Sequence, residues 1–164
     1  MRLAFALALF LAVQAAAQTA PTVPDNLKPS AGATLILTLH ATGDQDYSCD
    51  GSKWVFTHPD AELFDEQGKQ VGTHFAGPTW EFAADSSRVI GKPIANATPD
   101  PDSVPWLLVQ AKDHQGDGTM TKVAFIQRIN TKGGKAPATG CDAGHKGQET
   151  RSHYTAEYLF YSAP

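Results

Sequence analysis

The 164-residue chain has only two cysteines and two methionines, charged residues make up just 18% of it, and its formal net charge is -4. Each shortage excludes something. Two cysteines are too few for a disulfide-dense miniprotein. Sparse charge excludes a coiled coil and an acidic disordered tail. A net negative charge argues against a nucleic-acid partner, whose binder needs a basic patch. Only one apolar run is long, so a polytopic membrane protein is excluded. No stretch sustains the period of an amphipathic helix. What remains is one soluble, β-rich domain.

The one apolar run sits at the start. Arg2 gives a positive lead, residues 3–13 are uncharged and apolar, and Ala15-Ala16-Ala17 supplies a small-residue cleavage pattern before Gln18. This predicts a signal peptide over residues 1–17 and a secreted or periplasmic product. The run is shorter than the about 20 residues of a membrane span, so no transmembrane segment is expected after cleavage. Export also predicts a disulfide between Cys49 and Cys141, the only pair in the chain. A zinc pair fits poorly, because neither cysteine belongs to a Cys-x-x-Cys or has a histidine at zinc spacing.

Residues 18–33 carry Pro21, Pro24 and Pro29 and read as an extended lead-in or spacer. The β domain is expected over residues 34–164. Leu35, Leu37 and Leu39 alternate with Thr34, Thr38 and His40, which is period two. Asp50-Gly51-Ser52 and Glu66-Gln67-Gly68-Lys69 are turn signals between strand-like runs. Residues 79–82 and 88–92 form a further pair around Asp85-Ser86-Ser87. Residues 106–112 and 120–131 are the longest apolar strands. The last strand, 153–161, places Tyr154, Ala156, Tyr158 and Phe160 on one face. The expected fold is all-β: a single antiparallel sandwich or barrel with irregular loops. Residues 96–105 and 131–151 resist strand assignment, and the second stretch holds five of the fourteen glycines. A mobile loop pinned by Cys141 and a functional loop are both open readings of it.

Several segments occur in a telling order: Trp54-Val55-Phe56-Thr57-His58-Pro59-Asp60, then His74-Phe75-Ala76-Gly77-Pro78-Thr79-Trp80-Glu81. Val104-Pro105-Trp106-Leu107-Leu108, Phe125-Ile126-Gln127-Arg128-Ile129-Asn130 and Tyr154-Thr155-Ala156-Glu157-Tyr158 follow. Together they resemble the domain of unknown function 3455 family, found in bacteria and fungi. The resemblance covers residues 35–161, and His-x-x-Gly-Pro-Thr-Trp-Glu is its most specific stretch. It implies a secreted protein and transfers no catalytic residues. Some fungal members carry a malate dehydrogenase label, which this sequence does not support. Gly116-Asp117-Gly118 lacks the third glycine of a dinucleotide turn and joins two apparent strands. One departure is Ser86-Ser87, where members often carry a glycine in the turn.

Among chemistry-bearing residues, His74 and Glu81 stand out. If Gly77-Pro78 folds the chain back, the two could form an acid–base pair or two metal ligands. A structural hydrogen bond at a corner is the plainer alternative. Arg128 interrupts an apolar strand, so it should pair with Glu81 or Glu157, or clamp an anion. Trp54, Trp80 and Trp106 each read as a stacking surface or as core, with Trp80 the best ligand candidate. The histidines form no metal motif, no serine-hydrolase elbow is present, and no metal or cofactor is expected. The leading expectation is an exported module that binds a small ligand or a cell-envelope component through His74, Trp80, Glu81 and Arg128. The alternatives are a hydrolase using His74 and Glu81, and a purely structural envelope protein.

Overall fold

The computed structural model describes residues 22–164. The expected signal peptide lies outside the described residues. Eight strands follow in order: β1 (Thr34–Cys49), β2 (Trp54–Phe64), β3 (Gln70–Phe75), β4 (Thr79–Phe82), β5 (Ser87–Ala97), β6 (Trp106–Gln115), β7 (Val123–Gly133) and β8 (Glu149–Ser162). Each pairs antiparallel with the next, and β8 returns to β1, so the sheet closes in a ring. The all-β expectation holds, and of its two architectures the ring is the one formed. Among the described residues the only helical segments are three short 3-10 turns. None is long and apolar enough to cross a membrane.

The elements follow from local chemistry. Asp50 turns β1 into β2 by accepting hydrogen bonds from the Ser52 and Lys53 amides at 2.8 and 2.9 Å. Asp65 does the same between β2 and β3, taking the Gln67 and Lys69 amides. Between β4 and β5, Ser86 adopts a φ of 55°, the left-handed region a glycine favours. A glycine would take this backbone conformation without strain. Asp85 accepts bonds from Ser87 and from the Thr119 amide, tying the β4–β5 turn to the 3-10 turn Thr119–Lys122. Those bonds hold its carboxyl well below the usual range. Met120 and Lys122 thus lie in that turn, and β7 begins at Val123 rather than at residue 120. At its other end β7 runs on to Gly133, and β8 begins at Glu149. Both strands therefore extend into the segment that resisted assignment.

Period two sorts the side chains into two cores. Leu39, Ala41, Leu63, Trp80, Val109, Ile126, Tyr154, Tyr158 and Phe160 fill the ring's interior. The expected single face of β8 is the interior face. On the outside, Val23 and Leu27 cover β6, β7 and β8 and pack with Leu108, Ile129, Leu159 and Tyr161. The carbonyl of Leu27 accepts from Gln127 Nε2 at 2.7 Å, and Tyr161 donates to Gln127 Oε1 at 2.6 Å. The proline-rich lead-in is thus packed against the sheet over Val23–Leu27. A bulge between Leu35 and Leu37 shifts the β1–β8 register, so Leu35 joins the outer core and Leu37 the inner one. Similar bulges in β2, β3, β5, β6 and β7 make the ring irregular.

Cys49 and Cys141 are bonded, at a sequence separation of 92. The bond anchors the segment between β7 and β8 to the end of β1, assisted by Tyr47, whose hydroxyl donates to Gly134 O at 2.7 Å. A disulfide closing so long a loop restricts the unfolded chain strongly. Replacing both cysteines with serine is expected to lower unfolding stability by about 2–5 kcal/mol, read by urea denaturation. An unchanged midpoint with unchanged slope would show that the bond carries no stability.

Candidate functional site

The hairpin of β3 and β4 builds the centre of the site. Gly77, with a φ of 110°, and Pro78 make its tight turn. The register pairs His74 with Trp80 directly across the two strands. Both side chains face inward, and their rings stack at 4.2 Å with planes 10° apart. Tyr158 closes on both edge-on, at 5.1 and 5.5 Å. Gly91 on β5 leaves room for the indole: a Cβ there would sit 3.0 Å from Trp80 Cζ3 and would collide with Val109. The specific motif of the sequence therefore encodes a stacked pair and the turn that brings it together.

His74 Nδ1 lies 2.9 Å from the Thr79 carbonyl oxygen. A carbonyl only accepts, so Nδ1 carries the proton and Nε2 is left as an acceptor. Burial pushes the imidazole pKa down to about 3, and the positive charge of Arg128 pushes in the same direction. The ring is neutral at ordinary pH.

A cavity of about 350 Å³ lies beside this pair. Its inner wall includes Gln45 of β1, His74, Trp80, Val109 of β6, Arg128 of β7 and Tyr158 of β8. Its outer rim is Phe56, Thr57, Gly77 and Pro93, all exposed. Arg128 is the only formally charged side chain on this wall. It is 9% exposed, and its Nε and Nη2 both donate to the Pro105 carbonyl at 3.1 and 2.9 Å. It forms no ion pair among the described residues. Its charge opposes the upward shift that burial imposes on the Tyr47, Tyr154 and Tyr158 hydroxyls. Two further donors on this wall, Gln45 Nε2 and Trp80 Nε1, are buried and have no hydrogen-bond partner among the described residues.

His74, Trp80 and Arg128 line this one cavity from three strands. Glu81 does not join them. It follows Trp80 directly, so the pleat turns it to the outer face opposite Thr73. There it accepts from Arg88 Nε at 2.5 Å. The His74–Glu81 pair is thus not assembled. Neither expected carboxylate reaches Arg128, since Glu157 accepts from Asn130 on the outer side. Trp54 donates to Thr139 O, and Trp106 packs in the outer core, so the three tryptophans share no surface. The described residues contain no cluster of His, Cys, Asp or Glu fit for a metal. Gln45 and Tyr158 were missing from the sequence candidates. Their signal was there: each is a polar residue at an inward position of an alternating strand.

A family model described as Protein of unknown function (DUF3455) matches residues 29–162. No curated protein and no solved structure matches the chain.

The low pKa of His74 has a measurable consequence. The folded ring stays neutral while the unfolded chain takes up a proton below 6.5. The stability tied to it is complete above about pH 6.5 and is lost as pH falls toward about 3. Between pH 6.5 and 4.5 the loss is expected to be about 2–3 kcal/mol, at about 1.4 kcal/mol per unit. Urea unfolding of the wild type and of His74→Phe across that range reads it, with the variant showing the flatter slope. Equal slopes would mean that His74 titrates normally.

Proposed function

We propose that this chain, which belongs to the DUF3455 family of proteins of unknown function, binds a small molecule inside its ring and releases it unchanged. One observation carries the reading: residues distant in sequence meet on the wall of one cavity of a size that holds small ligands. A purely structural protein has no need to bury Arg128 beside such a cavity without a carboxylate partner, because that arrangement costs stability. The exposed rim at Phe56 and Pro93 gives a ligand its way in. The disulfide suits an oxidising setting, and with the expected signal peptide it supports work in the periplasm or outside the cell.

The hydrolase alternative is weaker. It needed Glu81 beside His74, and the two lie on opposite faces of the sheet. His74 is oriented by a backbone carbonyl, and its low pKa makes it a feeble base near neutral pH. A sugar is also a poor fit for the cavity, since a polyol needs many polar partners and this wall is mainly apolar.

The test is nuclear magnetic resonance with a panel of single-ring aromatic fragments, neutral and charged. Binding fragments should shift the Trp80 indole N–H and the amides of His74 and Val109, and should leave the sample with their mass unchanged. Leu107→Trp, which fills the half-buried side of the cavity, should weaken that binding at least tenfold. Shifts scattered over the outer surface, or none with any fragment, would remove this reading.

A further inference from the structure

We propose that the ligand of this cavity is a monocarboxylate with an apolar body, its carboxylate held end-on by Arg128. The inference rests on the binding role proposed above and names the ligand's chemistry.

The charge balance of the wall gives the sign and the number. Arg128 is its one charged side chain, and it is nearly fully buried. His74, the other basic group on the wall, is neutral. A single buried cation is matched by one negative charge. A phosphate dianion would need a second cation or a nest of backbone amides, and the wall offers neither.

The donor geometry gives the group. A guanidinium has five N–H donors in a rigid fork. The Pro105 carbonyl takes the edge formed by Nε and Nη2. The opposite end, Nη1 with the second Nη2 proton, makes no hydrogen bond within bonding distance among the described residues, and the Tyr158 hydroxyl lies beside the guanidinium; two parallel donors at that end have the spacing of a carboxylate's two oxygens. The unpartnered groups on this wall have the same character. Trp80 Nε1 is a donor with no partner among the described residues, and Gln45 Nε2, a donor that faces the Tyr154 hydroxyl, makes no hydrogen bond within bonding distance; the two residues are only 2% and 3% exposed. A wall with surplus donors calls for an acceptor-only group, and an ionised carboxylate is one.

The rest of the wall gives the body. Pro59, Leu107 and Val109 line the cavity with apolar surface, and Phe56 stands at its rim. A ligand with its acid on Arg128 lays its apolar part along these residues toward Phe56.

Three probes with the same phenylpropyl carbon skeleton separate the charge from the cavity: 3-phenylpropanoate, 3-phenylpropan-1-ol and 3-phenylpropylamine, titrated by calorimetry into the wild type at neutral pH. The propanoate should bind at least tenfold tighter than the alcohol, and the amine should be weakest. Arg128→Met should bring the propanoate down to the alcohol's affinity while the alcohol stays within about twofold, which also shows that the variant is folded. If that variant does not fold, Arg128→Lys keeps the charge and loses the fork, and should weaken the propanoate about tenfold. Equal binding of alcohol and propanoate, both weakened by Leu107→Trp, would overturn the carboxylate assignment and leave the binding role standing. No binding by any of the three, with fragments also silent, would overturn both.

Discussion

Pairing of β1 with β8 is the constraint from which the rest of the molecule follows. Once the first strand pairs on both edges, the sheet has an inside and an outside, and every residue's face is set by the parity of its position. The interior is then too small for all its inward side chains to be large. Gly91 yields to the Trp80 indole, and the aromatic cluster of His74, Trp80, Tyr158 and Phe160 takes the space. The cavity lies where the short β3–β4 hairpin, the bulged β5 and the prolines of β2 and β5 leave that packing incomplete.

Within this closed space the polar atoms do not balance. Backbone carbonyls satisfy His74 Nδ1 and one edge of Arg128, and the Tyr154 and Tyr158 hydroxyls meet at 3.3 Å. Gln45 Nε2 and Trp80 Nε1 make no hydrogen bond within bonding distance among the described residues, and Arg128 has no ion-pair partner there. Elsewhere the fold pairs its charges on the outer surface, as Arg88 with Glu81 and Arg151 with Asp46 and Asp60. Such exposed pairs contribute little to stability. The interior imbalance is concentrated on one cavity wall, and that concentration makes the wall the place to look for function.

Much of this was legible in the residues. The strand positions, the turns after Cys49 and Asp65 and the shared face of β8 follow from period-two alternation and turn chemistry. The motif around His74 also announced itself. The error over Glu81 has a simple physical cause. Trp80 and Glu81 are neighbours on one strand, so a pleated sheet cannot turn both inward, and choosing Trp80 for the interior already excluded Glu81. The same parity turns Glu157 away from Arg128, because Tyr158 takes the inward position. Other features were hidden. Leu35 leaves the inner face only through a bulge, and no local pattern in Val23–Leu27 reveals that it covers β6–β8. The cavity itself arises from long-range register, which no window of sequence contains.

The return of β8 to β1 also bears on how the molecule forms. The hairpins from β1 through β7 join neighbours in sequence, but the pairing that closes the ring spans the whole domain. Such remote contacts cost loop-closure entropy before they return any free energy, so they form late and slowly. Until β8 arrives, β1 has a bare edge sixteen residues long and the aromatic interior has no lid. The half-made ring is thus the state most exposed to pairing with the wrong neighbour. The carboxylates of Asp44 and Asp46, at outward positions of β1, place charge along that strand during the interval when its edge is open.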